Sequence, residues 1–118
     1  MADGTPFNSI ISAASLWPPR LTSPLSAWNA HIPFAGWIIE AARPRVFVEL
    51  GTHAGVSYFA FCESVSRLGI GTRCYAVDTW VGDEHAGAYG EEIYEGVAAM
   101  NAAHYGGFST LVRTTFDE

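Results

Sequence analysis

The sequence predicts an α/β protein whose parallel sheet is flanked by helices, and three observations support this. Short apolar runs alternate with longer segments of helical periodicity, and glycines separate many of them. Hydrophobic residues make up 49% of the chain and charged residues 15%, a balance typical of a folded domain. The 118 residues fit at most one domain. Strands that alternate with helices favour a parallel sheet, because each helix carries the chain back to the same end.

The first elements are an arm, a helix and a strand. Residues 1–25 are rich in proline and are expected to form an arm or a short helix ahead of a domain over 26–118. Ser26 is a candidate cap for a helix that runs to about residue 42, with a break near Pro33. Val46–Leu50 is a short apolar run rich in β-branched residues. We predict a strand there that is buried on both faces.

The remaining elements follow from the same patterns. Apolar residues at helical spacing predict a second helix over 58–68, which Gly69 ends. A second strand is predicted over 74–77. A third helix is predicted to begin at Glu91, and Ser109–Arg113 is predicted as the third strand. One face of the third helix is expected to carry Ile93, Val97, Met100 and His104.

The loop from Glu49 to Gly55 is the strongest candidate for a binding site. A glycine directly after a strand allows a sharp turn and a close approach of a ligand to the backbone. The helix that follows directs free amide groups at the loop, which suits a polar or anionic ligand group. His53 stands where a G-x-G-x-x-G dinucleotide motif has its second glycine. An ordinary turn with two glycines remains the alternative.

Asp78 adds to this site because it ends the second strand. In doubly wound folds, a carboxylate at that position accepts hydrogen bonds from a ribose diol. The alternative is an aspartate in a solvated loop.

The residues around these two features resemble a known family. Segment 48–57, VELGTHAGVS, resembles motif I of the class I S-adenosylmethionine-dependent methyltransferases, and segment 75–80, YAVDTW, resembles their acidic second motif. Segments 31–34 and 78–85 are similar to a bacterial group associated with glycosyltransferases and sugar tailoring. The resemblance covers 26–118. It implies a Rossmann-like fold of which this chain holds about three of seven strands.

The resemblance also implies roles for individual residues toward the cofactor S-adenosyl-L-methionine. The methionine portion would be lined by Glu49, Gly51 and Gly55, with Thr52 and His53 in the same loop. Asp78 would bind the ribose hydroxyls. The adenine would lie beside Thr79, Trp80 and the segment 114–116, in which Thr115 is a candidate contact. Packing inside the protein is the alternative role for Trp80.

The expected reaction is methylation of a hydroxyl on a small molecule, with a sugar as one candidate. His53 and His85 are candidates for a general base. Asp83 and Glu84 are candidates for metal ligands. A solvated acidic loop is the alternative for residues 83–85, because three adjacent residues cannot readily all face one ion.

Two other classes of function stay open. One is an oxidoreductase fragment that binds an NAD-type dinucleotide, and the other is a non-catalytic interaction module. The family's fourth strand would border the first. Without it, Val46–Leu50 is expected to be an exposed edge strand. We therefore expect a fragment that is impaired as an enzyme by itself, and self-association of the chain through that edge is the alternative.

Charge and cysteine content bear on partners and location. The net charge is -6 and the basic residues are scattered, so we expect neither nucleic acid nor a membrane surface as a partner. Cys62 and Cys74 are expected to be buried free thiols, which favours a cytoplasmic location.

Overall fold

The computed structural model describes Ala14, Trp17, Pro18 and residues 31–81 and 90–116. Most of the expected arm, including the candidate cap Ser26, lies outside the described residues. The elements are α1 (Ile32–Ala42), β1 (Val46–Leu50), α2 (Val56–Leu68), β2 (Arg73–Asp78), α3 (Gly90–Met100) and β3 (Ser109–Arg113). A π-helical turn, Asn101–Tyr105, continues α3 toward β3. The predicted alternation of helices and strands is confirmed.

The three strands form a parallel sheet in the order β1-β2-β3. Val48 pairs with Tyr75, and Tyr75 pairs with Thr110 on its other side. The incomplete Rossmann-like fold is therefore confirmed. Because the strands are parallel, their carboxyl ends and the loops that follow them lie at one edge of the sheet.

The hydrophobic core lies between one face of this sheet and the helices. On that face, Cys74 and Ala76 of β2 are fully buried and Phe47 of β1 packs against them. The helix α2 is the central helix, since every residue from Tyr58 to Val65 is buried. Ile39 of α1 and Val97 of α3 complete the same cluster.

The opposite face of β1 is exposed. The side chains of Val46, Val48 and Leu50 are 56%, 51% and 59% exposed. β1 is also an edge strand within the described residues, as predicted. The prediction that this strand is buried on both faces is wrong, because the core cluster joins the helices to the other face and no described element covers this one.

The ends of the helices follow their sequence signals. Pro33 lies in the first turn of α1, where its missing amide is tolerated. Gly69 ends α2 in a left-handed conformation, with φ of 63°, as predicted. No helix among residues 31–81 and 90–116 is long and apolar enough to cross a membrane.

The expected apolar face of α3 is correct up to Met100 but wrong at His104. His104 is exposed, and Tyr105 is buried in its place with 1% exposure. A π-helical turn holds more residues than an α-helical turn, so the position that faces the core moves one residue along the chain. The Tyr105 hydroxyl donates a hydrogen bond to Glu63 Oε1 at 2.8 Å.

Cys62 and Cys74 are both buried free thiols, as predicted. Burial, together with the neighbouring Cys74, raises the pKa of the Cys62 thiol far above its ordinary value. The Cys62 thiol therefore behaves as an apolar group of the core rather than as a nucleophile. Cys74 is fully buried in the same cluster.

Candidate functional site

The loops that follow β1, β2 and β3 meet at the carboxyl edge of the sheet. The amide of Gly51 donates to the Val77 carbonyl at 2.8 Å, and the amide of Thr114 donates to the Asp78 carbonyl at 3.1 Å. These bonds extend the sheet pairing into the loops. They bring together the residues that the sequence assigned to a cofactor, namely Glu49, Gly51, Thr52, His53, Gly55, Asp78, Thr79, Trp80 and Thr115.

The loop after β1 requires its two glycines. Gly51 and Gly55 have φ of 83° and 90°, in the left-handed region where a side chain is strained. A Cβ on Gly55 would lie 2.7 Å from the ring of Phe59, too close for any real contact. The loop therefore turns tightly against the first turn of α2 and keeps its backbone open to a ligand.

Glu49 and Thr52 present two buried oxygens that have no partner among the described residues. Ser57 Oγ donates to Glu49 Oε2 at 2.6 Å, whereas Oε1 of the same carboxyl is unpaired. Thr52 is 4% exposed and its hydroxyl is also unpaired. Such groups are costly in a core unless something binds them. They are what a cofactor with an amino acid group would use.

Burial also perturbs the charge of Glu49. It raises the pKa of the Glu49 carboxyl above 4.5. The hydrogen bond from Ser57 lowers the pKa, as does the Thr52 hydroxyl, which lies near the carboxyl without a hydrogen bond to it, and the nearby Asp78 raises it again. The carboxylate therefore carries an unfavourable charge that a cationic ligand group would relieve.

Asp78 lies at the centre of the site with 7% exposure. Its Oδ2 accepts a hydrogen bond from the backbone amide of His53, and its Oδ1 accepts one from the amide of Trp80, both at 2.8 Å. Each carboxylate oxygen has a second lone pair. Asp78 therefore organises two loops and keeps acceptor capacity for a ligand hydroxyl.

A pocket of about 250 Å³ opens beside Asp78 and is lined also by Thr79, Thr115 and Phe116. The Phe116 ring is 63% exposed, which is unusual for so large an apolar group. The sequence placed the whole segment 114–116 at the adenine edge and did not single out this residue. The sequence signal that could have indicated Phe116 is an aromatic residue that comes shortly after a strand, at the carboxyl edge of the sheet.

Trp80 is fully buried. Its indole Nε1 donates to the His53 carbonyl at 2.8 Å, and its ring meets the Tyr94 ring edge-on at 5.1 Å. These contacts agree with packing inside the protein, which the sequence left open as the alternative to an adenine contact. A direct contact between Trp80 and adenine stays a prediction.

A set of residues on α3 and β3 supports the site and was missed from the sequence. The Arg113 guanidinium lies 4.3 Å from the centre of the Tyr94 ring and forms an ion pair with Glu91. Arg113 Nε also donates to the Thr79 carbonyl at 3.2 Å. No local pattern signals these contacts, because they join segments distant in the sequence.

The catalytic and metal predictions are not tested by these contacts. The His53 side chain is exposed at the site, whereas Asp83, Glu84 and His85 lie outside the described residues. Within the part of the chain that the structure describes, no group of three or more potential ligands could hold a metal ion.

Comparison with known proteins identifies the family. The profile of the family described as "Methyltransferase domain" matches residues 48–118, which include all three strands save the start of β1. The chain is 56% identical over 100 residues to uncharacterized protein y4gI of Sinorhizobium fredii. The match covers 85% of the chain and 11% of that relative, so the chain spans only a small part of the relative's length. No solved structure matches the chain significantly. Because the profile covers more than half of the chain, and the glycine loop and Asp78 lie within it, the chain belongs to the class I S-adenosylmethionine-dependent methyltransferases.

Proposed function

We propose that this chain forms the cofactor-binding part of an enzyme that transfers a methyl group from S-adenosyl-L-methionine to a hydroxyl of a small molecule. A sugar is the acceptor class that the sequence resemblance favours. The observation that carries the proposal is the pair of unpaired buried oxygens on Glu49 and Thr52, next to the Asp78 carboxylate. These groups offer acceptors to an ammonium and to a ribose.

The described residues suit each part of such a cofactor. The Glu49 carboxylate would accept hydrogen bonds from the ammonium group, and the Thr52 hydroxyl would bind the carboxylate end of the same amino acid moiety. Asp78 would accept from the ribose hydroxyls with its remaining lone pairs. The exposed ring of Phe116 offers a stacking surface for adenine, and Thr79 and Thr115 border it.

The chemistry combines orientation with charge. When bound, the cofactor supplies a methyl group on a positively charged sulfur, from which a neutral thioether leaves. The acceptor oxygen gains the methyl as the sulfur–carbon bond breaks, and the hydroxyl proton passes to a base. The exposed side chain of His53 is our candidate for that base, and His85 is the other. The carboxylates of Glu49 and Asp78 give the site a preference for cationic ligands.

Calorimetric titration with S-adenosylhomocysteine tests the proposal. We expect saturable binding to the full chain, and binding weaker by about ten-fold or more in Glu49→Gln, because a hydrogen bond to a charged group contributes about 1.5–3 kcal/mol. Glu92→Gln is the matched control, because it makes the same chemical change at an exposed position on α3. Absence of binding at millimolar ligand, or equal affinities in the two variants, would contradict the proposal.

An NAD-type dinucleotide is the second candidate, because Asp78 ends β2 where such proteins bind a ribose. Fluorescence titration with NADH separates the two. We expect no saturable signal, since His53 occupies the position at which a dinucleotide loop needs a glycine. Saturable NADH binding that S-adenosylhomocysteine does not displace would replace the first proposal by the second.

We assign the chain to the cytoplasm within the same proposal. Its support is the pair of buried free thiols, since disulfides are rare in reducing compartments. Alkylation of the denatured chain after purification without reductant should modify both cysteines, and recovery of a disulfide-linked form would contradict this location.

A further inference from the structure

Two residues of the site hold a backbone conformation that is unfavourable for them. His53 and Trp80 have φ of 53° and 54°, in the left-handed region. For a non-glycine residue this costs about 1–2 kcal/mol, and a bulky aromatic residue is rarely found there. Such strain persists only where the surrounding contacts enforce it.

Three hydrogen bonds that join Asp78, His53 and Trp80 hold these two residues in the strained conformation. Asp78 Oδ2 holds the amide of His53, and Oδ1 holds the amide of Trp80, both at 2.8 Å. The Trp80 indole donates the third hydrogen bond, to the His53 carbonyl, also at 2.8 Å. Both peptide groups that flank the His53 α-carbon are therefore fixed. One is fixed directly by the carboxylate and the other by the indole.

The indole in turn is fixed by α3 and β3. Its ring packs edge-on against Tyr94 at an interplanar angle of 60°, and the Arg113 guanidinium covers Tyr94. Arg113 also binds Glu91 and the Thr79 carbonyl. Trp80 thus connects the glycine loop after β1 to the helix α3, two parts of the site that are far apart in the sequence.

We infer that Trp80 is a positioning residue that locks the glycine loop in the shape needed to bind the cofactor, rather than a contact to the adenine. The inference rests on the proposed function. The lock acts on His53, so it sets the path of the loop between Thr52 and Gly55. Without the indole donor, the His53 carbonyl loses this hydrogen bond, and the strained residue relaxes. Only a fraction of the molecules then keeps the loop in the shape that binds the cofactor. The apparent affinity is the intrinsic affinity multiplied by that fraction, so it falls.

Trp80→Phe tests the inference because it keeps one aromatic ring beside Tyr94 and removes the indole donor, together with part of the ring volume. Calorimetric titration of the full chain with S-adenosylhomocysteine should show affinity reduced by about ten-fold, the size expected when a part-buried hydrogen bond is lost. Unchanged affinity would overturn the inference. Absence of binding by the unmodified chain would instead refute the proposed function, so the two failures are distinguishable.

Tyr58→Phe is the matched control. The Tyr58 hydroxyl shares a buried hydrogen bond of 2.6 Å with Ser109 Oγ, at the amino end of β3 and away from the loop. Tyr58→Phe removes one buried hydroxyl and so also breaks a hydrogen bond in the core. Thermal stability should fall in both variants, and further in Trp80→Phe, which also leaves a void. We expect the ligand affinity to fall only in Trp80→Phe. Equal losses of affinity in both variants would show that Trp80 contributes to stability in general and does not position the loop.

A second measurement covers the case in which Trp80→Phe fails to fold. In the unmodified chain labelled with ¹⁵N, the indole N–H of Trp80 should exchange slowly with solvent, because it is buried and bonded to His53. Its resonance should move as S-adenosylhomocysteine saturates the site. A rapidly exchanging indole, or one that stays unchanged at saturation, would overturn the inference.

Discussion

Glu49→Gln should make the ligand-free chain more stable at neutral pH while it weakens ligand binding. Burial raises the pKa of the Glu49 carboxyl above 4.5, so the folded chain holds its proton more tightly than the unfolded chain does. At pH 7 the group is ionised when unfolded, and folding carries the unfavourable free energy of burying that charge. Glutamine keeps the shape and removes the charge.

The magnitude follows from the contacts of the two oxygens. Oε2 keeps the hydrogen bond from Ser57, whereas Oε1 has no partner among the described residues. An unpaired buried polar group costs about 1–3 kcal/mol, and more when it is charged. Glutamine leaves a neutral polar atom in the place of Oε1, so the gain is only the extra cost of the charge, which is small because Glu49 is only partly buried. We therefore expect a gain of about 1 kcal/mol in the free energy of unfolding. In a chain of this size, it raises the melting temperature by about 4 °C.

Thermal denaturation followed by circular dichroism at pH 7 and at pH 4 measures this effect. The gain of Glu49→Gln over the unmodified chain should be full at pH 7, shrink as the pH falls through the raised pKa, and vanish below 4.5, where both states are protonated. Glu92→Gln should show no such dependence. A lower melting temperature for Glu49→Gln at pH 7, or an equal gain at both pH values, would refute the reasoning.

Three further predictions test the loop, the pocket and the edge strand. Gly55→Ala should lower the free energy of unfolding by about 2–4 kcal/mol in urea titrations, because the new Cβ would meet the Phe59 ring. Gly71→Ala is the control: a Cβ there meets open space, so the free energy of unfolding should fall by only about 1 kcal/mol. Phe116→Ala should weaken S-adenosylhomocysteine binding by about 1 kcal/mol or more in calorimetry if its ring stacks on adenine, and unchanged affinity would remove it from the site. The chain should self-associate with rising concentration in sedimentation experiments and Val48→Lys should not, because a charge on an exposed edge prevents strand pairing; a monomeric unmodified chain would contradict this.

The sequence predicted the elements well because their signals are local. The third strand was predicted within the bounds that the structure has, Ser109–Arg113, and Gly69 ends α2 as expected. Glycine and proline limit backbone angles directly, and apolar spacing reflects the side of an element that faces the core. The placement of Asp78 at the binding edge followed from the same local reasoning, since a parallel sheet brings its carboxyl ends together.

The features that the sequence did not predict depend on contacts across the fold. The exposed face of Val46–Leu50 depends on which face the helices cover, and an apolar run by itself does not report that. The exposure of His104 depends on a π-helical turn that no residue type requires. The sequence left Trp80 open between a contact to adenine and packing, because its hydrogen bond joins it to His53, 27 positions away in the chain. Local patterns therefore placed the strands and the loops at their carboxyl ends, and left the contacts between those loops open.

The double role of Asp78 changes how its contribution to ribose binding must be tested. Asp78→Ala would remove the acceptor for two backbone amides, so the loop would relax whether or not the carboxylate touches a ribose. Lost binding in that variant would not separate the two roles. Changing the ligand instead leaves the loop intact. The unmodified chain should bind S-adenosylhomocysteine more tightly than its 2′-deoxy analogue by about ten-fold or more, since the analogue lacks one hydrogen bond to the carboxylate and such a bond contributes about 1.5–3 kcal/mol. Equal affinities in calorimetry would show that the carboxylate acts on the loop and not on the ribose.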